Sequence, residues 1–304
     1  MTPLPSAVPA PAPANVTALR RDRRRGPGIG TAITIAALAI LCLVWLVPLV
    51  GLLVSSLRTR EAVLSSGWWT ALANFMSEEW SLANYQSVLR DDGFGQAFLN
   101  SLVITIPTVL LTATVAMFAA YGFAWLRFRG RDALFYLMVA LLVVPLQVAF
   151  IPLLRLYNTV GLSYTWGAIW ITHTMFGIPI ALMILTGFVR GIPRDLIEAA
   201  RADGATHWDT FRFVVVPLAS PAIAAFCVFQ FLWVWNDMLV ALVFLGADPE
   251  HRPITVALQL LTGNRGQDWH VLTAGAFISL IVPAVVFLTL QRYLVRGLTA
   301  GSVK

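Results

Sequence analysis

Charge is scarce in this sequence. Of its 304 residues only 12% are Asp, Glu, Lys or Arg, while 58% are hydrophobic and the mean hydropathy is +0.77. Soluble domains carry about 25% charged and about 45–50% apolar residues. A chain this poor in charge cannot cover a water-exposed surface, and an integral membrane protein is the class that remains. Lysine is scarcer still, occurring once, at Lys304. A Walker A loop needs a lysine inside a glycine-rich turn, so the chain has no standard phosphate-binding loop of its own. The two cysteines, Cys42 and Cys227, lie in apolar stretches without a CxxC or Cys/His neighbourhood. They read as small hydrophobes. The histidines, His173, His207, His251 and His270, form no H-E-x-x-H pattern and have no clustered partners. Neither a metal site nor a membrane-embedded hydrolase is expected.

What the sequence does contain is apolar runs bounded by arginine. The net charge is +6, but its placement at the ends of those runs is a topology signal for a bilayer and argues against a nucleic-acid partner. A spanning helix needs about 20 apolar residues. Six runs meet that length: Thr31–Leu57, Ser101–Leu126, Ala133–Leu154, Tyr164–Val189, Pro217–Gly246 and Val271–Gln291. The third carries Pro145 and Pro152, so a kink or break is expected where neighbours can satisfy the freed carbonyls. Residues 1–30, with five prolines within the first 19 and then five arginines, read as a disordered cytoplasmic tail. Fifteen of the 21 basic residues fall on the side that holds both termini, and six on the other. The positive-inside rule therefore places both termini in the cytoplasm. The expected fold is an all-α membrane protein of six spans, residues 31–304. The longest outside loop, from Arg58 to about Phe98, carries Trp68, Trp69 and Trp80, read either as interfacial anchors or as contacts to an outside partner.

The cytoplasmic loop after the fourth span is structured in its own right. Pro193 suits a first helical position, residues 194–203 are rich in helix formers, and Gly204 suits a left-handed cap. Thr206 and Asp209 match a capping box that opens a second helix. Small residues, Ala199, Ala200, Ala202 and Ala205, alternate with the large apolar Leu196, Ile197 and Trp208. A helix bearing on a partner fits this mixture better than one lying on the membrane surface.

Glu198-Ala199-Ala200-x-x-Asp203-Gly204-Ala205, followed by Phe211 and Pro217-Leu218, resembles the EAA signature of bacterial ABC-importer permeases. Both the Glu-to-Gly and Gly-to-Pro spacings agree. Asn84-Tyr85, Asn100-Ser101, Pro145-x-Gln147, Ile151-Pro152-Leu153 and Trp235-Asn236-Asp237 are similar to its carbohydrate branch, of the maltose-importer type. So is the C-terminus from Gln291 to Lys304. The likeness runs from about residue 31 to the end. Ser66-Gly-Trp-Trp69 faintly resembles α-glucoside permeases. The resemblance implies a multi-pass protein of the bacterial inner membrane that forms half of a translocation path. It also implies the partners: a second homologous permease, two ATPase subunits that bind ATP and Mg, and an extracytoplasmic sugar-binding protein. This chain itself would bind no cofactor and would not be an enzyme.

On that resemblance, Glu198, Ala199, Ala200, Asp203, Gly204, Ala205 and Pro217 form the ATPase-coupling segment. Glu198 would be anchored by Arg201 or Arg212. Gly301, Ser302 and Lys304 belong to a tail that reaches the ATPase, unless the terminus is simply frayed. Ionisable groups inside the spans are few and are functional candidates by default. Asp237, with Trp235, Asn236 and Gln147, offers an aromatic face and polar acceptors suited to a neutral sugar, or else pins helices together. His173 reads as a packed histidine. A di- or oligosaccharide such as an α-glucoside is the expected solute. Alternatives are an ion-coupled secondary carrier, for which one Asp and one His are few, and an ABC permease for a non-sugar solute.

Overall fold

A computed structural model describes residues 28–90, 93–246, 248–261 and 268–300, with side chains as far as Gln291. Residues 1–27 of the expected N-terminal tail and Gly301, Ser302 and Lys304 lie outside the described residues, and the last two residues of that tail, Ile29 and Gly30, open the first helix. The chain divides into two units, residues 1–51 and 52–304. The first contains most of helix α1 (Ile29–Ser56), an almost purely apolar segment of 28 residues. At 1.5 Å per residue it is about 42 Å long, ample for a bilayer.

Every regular element among the described residues is helical, apart from one isolated bridge between Arg58 and Trp80. After α1 come three short helices, α2 (Arg60–Ser65), α3 (Trp68–Ala73) and α4 (Ala83–Arg90), then the long α5 (Phe94–Trp125). The third expected span is a broken pair. It consists of α6 (Arg131–Ala140), prolonged by a 3-10 turn (Leu141–Val143), and α7 (Leu146–Val160), which meet at 104°. The break falls at Val144-Pro145, where the proline ring pushes the preceding residue out of the helical region (Val144 φ −75°, ψ 119°). Pro152 stays inside α7. Then follow α8 (Trp166–Arg190), α9 (Arg194–Ala202), α10 (His207–Asp209), a π-helical turn (Thr210–Val215) and α11 (Val216–Trp235). The described chain ends with α12 (Leu239–Phe244), α13 (Ile254–Leu260) and α14 (Trp269–Ala300). Among the described residues five helices are long and apolar enough to cross a membrane, and the bent pair makes a sixth crossing if counted as one.

The fifth span differs from expectation. It does not run unbroken to Gly246 but stops at Trp235. Asn236 Nδ2 donates to the Leu232 carbonyl (2.7 Å), and the Asp237 carboxylate accepts from the backbone N–H of Val240 (3.3 Å) and Ala241 (3.1 Å). Such side chains offer the backbone an alternative to the helical ladder. They close one helix and open the next.

Helix α5 is the centre of the second unit. It lies against α8 and α11 and carries Ala97, Ser101, Thr105, Thr108, Thr112, Ala116 and Ala120, all buried and spaced three or four apart. Without a hydrophobic force between helices in lipid, association depends on close packing and on hydrogen bonds, and small residues permit the close approach. Thr108 and Thr112 return their hydroxyls to the carbonyls of Ile104 (2.6 Å) and Thr108 (2.7 Å), while the buried Thr105 hydroxyl has no partner among the described residues. Thr112 also reaches Thr174 on α8 (3.3 Å).

The segment between α1 and α5 is closed by a polar clasp. Arg58 is only 2% exposed, and its guanidinium donates to Glu78 Oε1 (2.5 Å), the Ser66 carbonyl (3.1 Å) and Ser66 Oγ (2.7 Å). Asn84 Nδ2 donates to the carbonyls of Ser56 (3.0 Å) and Arg58 (2.7 Å). Trp80 donates its indole N–H to the Phe75 carbonyl (3.0 Å), and Trp69 is left mostly exposed.

Candidate functional site

The segment between α8 and α11 turns twice within a few residues. Helix α9 ends at Asp203 with Gly204 at φ +85°, a conformation costly for residues with a Cβ. The N–H of Ala205 bonds the Ala200 carbonyl and that of Gly204 bonds the Arg201 carbonyl, both at 3.0 Å. This pair of bonds is the Schellman closure of a helix. Two residues on, the next helix opens with a reciprocal capping box. Thr206 Oγ1 accepts from Asp209 N (3.2 Å) and Asp209 Oδ2 accepts from Thr206 N (3.0 Å). The turn then widens into the π-helical stretch before Pro217. A proline has no N–H and crowds the carbonyl four residues earlier, and the wider turn accommodates both defects. The result is a short rigid helix, a glycine corner and a second helix continuous with the fifth span.

Exposure divides this unit into an anchored face and a free face. Ile197 is buried with Ala113, Ala116, Met117 and Ala120 of α5. Phe211 stacks on Phe118 (4.8 Å between ring centres) and meets Tyr121 edge-on (5.4 Å). The Tyr121 hydroxyl hydrogen-bonds His207 Nδ1 (2.9 Å). The second span thus provides the seat for both short helices. On the free face Glu198, Ala199, Asp203 and Gly204 are exposed, with Ala200 and Ala205 partly so. Leu196 is 45% and Trp208 54% exposed, both large apolar side chains on a solvent face. The expected anchoring of Glu198 by Arg201 or Arg212 is not formed. Among the described residues no ion pair within 4.0 Å involves Glu198, and Arg212 lies over the Phe213 ring (5.4 Å). The corner is fixed by its backbone caps, which leaves the carboxylate of Glu198 unused.

The residues considered for a solute path sit in different surroundings. Trp235 is 3% exposed, stacked on Phe231 (5.6 Å) and edge-on to Phe98 (5.8 Å), with its indole N–H on the Ser279 carbonyl (3.2 Å). Asn236 and Asp237 serve the helix break. Gln147 is exposed in the first turn of α7. The more deeply buried polar groups are ones the sequence reading did not select or read as packing. Gln230, fully buried on α11, lies against Gly177 of α8, where a Cβ would come within 2.7 Å of its amide. His173 Nε2 is 3.6 Å from Asp237 Oδ2. Tyr121 and Phe118 were also missed, because one aromatic within an apolar run carries no signal of its own.

A profile described as "Binding-protein-dependent transport system inner membrane component" matches residues 113–300, the stretch that contains the seat, the corner and the last two spans. An osmoprotective compounds uptake permease of Synechocystis sp. is 52% identical over 269 residues, covering 88% of this chain and 90% of that protein. An alpha-glucoside transport system permease of Rhizobium meliloti is 38% identical, covering 87% and 95%. Among solved structures, a bacterial ABC transporter for the import of the polysaccharide alginate superposes with a TM-score of 0.73 at 21% identity, over 86% of this chain and 95% of that one. At that identity the structural likeness speaks for the fold, while the profile and the two relatives speak for descent. This chain belongs to the family of inner membrane components of binding-protein-dependent transport systems.

Proposed function

We propose that the chain is the permease subunit of an ATP-driven sugar importer and that the corner around Gly204 receives the mechanical work of a separate ATPase. One observation carries this reading: a backbone-capped lever whose inner face is seated on α5 while Glu198, Leu196 and Trp208 stay exposed. A helix that spends half its apolar surface on its own core and leaves the rest free is built to be gripped. Two ATPase subunits carrying ATP and Mg close against the levers of this chain and of a second, homologous permease. Movement of α9 draws Ile197 and Phe211, and through them α5, so a path open outside becomes open inside. An extracytoplasmic binding protein delivers the solute. Glu198, Ala199, Ala200, Asp203, Gly204, Ala205 and Pro217 form the coupling segment, and Gly301, Ser302 and Lys304 a further ATPase contact. No cofactor is bound by this chain.

The solute is a di- or oligosaccharide of the α-glucoside kind, as the 38% identity with the Rhizobium permease supports. A second reading, an osmoprotective compound, is supported by the 52% identity with the Synechocystis permease. Uptake of radiolabelled solutes by cells with and without this chain separates the two. Uptake should stop when ATP is depleted with ion gradients held intact, whereas persistence would point to an ion-coupled carrier. Gly204→Val forces a β-branched residue into the left-handed region, at a cost of about 1–2 kcal/mol. It should abolish uptake and solute-stimulated ATP hydrolysis together. Wild-type rates in that variant would remove the lever from the mechanism.

A further inference from the structure

Beneath the lever lies a cleft of about 610 Å³ into which arginines converge from three parts of the chain. Arg127 comes from the connection after α5 and Arg131 from the start of α6, Arg190 from the last turn of α8, and Arg194 and Arg201 from α9. Glu198 is the one carboxylate in the lining. Asp132, outside it, is shared by Arg131 (3.1 Å) and Arg190 (3.8 Å). Among the described residues no carboxylate lies within 4.0 Å of Arg127, Arg194 or Arg201. Guanidinium groups gathered in this way repel one another, and an anion relieves the repulsion. The Trp125 indole N–H, at the same wall, is buried with no acceptor among the described residues. Buried indole N–H groups ordinarily find one.

We infer that this cleft binds the phosphate of an anionic lipid headgroup. Arginine forks match phosphate oxygens in geometry and charge. The place favours a lipid over an acidic protein segment. The cleft lies by the ends of α5 and α8, beside Trp125, and basic pockets between span ends are where anionic lipid headgroups are held. A second cleft of about 580 Å³ shares Arg127, Arg131 and Arg194 and is walled by Phe128. Leu126, Phe128, Leu134 and Leu137 are 36–58% exposed, an apolar flank for acyl chains next to the charge. Because α8 and α9 both supply arginines, a bound lipid would tie the lever to the span ends. The inference does not depend on which solute is carried.

The test is thermal unfolding of the full-length chain in neutral detergent, titrated with phosphatidylglycerol, with phosphatidylcholine and with inorganic phosphate. Phosphatidylglycerol should raise the midpoint saturably, and phosphatidylcholine should not. Arg127→Gln/Arg131→Gln should raise the half-saturating concentration about tenfold or more, given roughly 1 kcal/mol per basic residue near an anionic surface. Arg127→Lys/Arg131→Lys should keep most of the effect and serves if the Gln pair folds poorly. Equal shifts with both lipids would overturn the inference. So would an equal shift with inorganic phosphate, which would make the ligand a soluble anion. Unchanged phosphatidylglycerol binding in the Gln pair, together with lost co-purification of an ATPase subunit, would overturn it too and make the cleft a protein contact.

Discussion

Two connections of this protein, residues 57–90 outside and 191–216 inside, are built on opposite plans. The outer one turns its polar groups inward: Arg58 is buried and its donors are taken up by Glu78 and Ser66, while Asn84 closes the start of the segment. The inner one turns its charges outward. Its corner is fixed by backbone caps, its apolar hold is Ile197 and Phe211 on α5, and its arginines are gathered without matching carboxylates. A segment that satisfies itself needs no partner to keep its shape. One with a free carboxylate, exposed Leu196 and Trp208 and surplus positive charge is complete only with something bound.

That contrast can be broken by mutation. The largest stability effect is expected outside. Arg58→Met leaves Glu78 buried without a counter-charge and should cost about 3–5 kcal/mol, read as a lower thermal midpoint in detergent. Arg58→Met/Glu78→Leu should recover most of that loss, since an apolar pair of similar volume often replaces a buried ion pair without penalty. If the single variant were as stable as wild type, the clasp would not be what holds the outer segment. Next is Ile197→Ala, which empties a buried site in the seat of the lever and should cost about 2–5 kcal/mol. It should also speed proteolysis within 194–216 more than elsewhere. Smallest in stability is Glu198→Gln, on the free face, expected within about 0.5 kcal/mol of wild type. Under the proposed function solute uptake should nevertheless fall, because the lost charge belongs to the segment proposed to meet the ATPase. A stability loss without an uptake loss would assign Glu198 to the inner fold instead.

The lever was the most legible part. Gly204 and the Thr206/Asp209 pair announce a helix, a left-handed corner and a capped restart between residues 194 and 209, because these are local backbone requirements with few residue types that meet them. The break at Pro145 was legible for the same reason. The end of the fifth span was not. Hydrophobicity continues from Trp235 into α12, and the decision rests on where the Asn236 and Asp237 side chains find partners. The surroundings of Trp235 were not legible on similar grounds. Trp235 suggests a sugar platform by type, yet it is spent on packing against Phe98 and Phe231.

By itself the sequence determined the membrane class, the crossings, the orientation and the helix–glycine–helix corner. All of these follow from composition, run length, charge placement and short-range backbone chemistry. Only the tertiary structure decided that α5 is the seat of the lever, that Tyr121 meets His207 across 86 residues, and that arginines from three segments share one cleft. Those pairings come from helix packing in three dimensions, and sequence spacing within any one helix carries no trace of them.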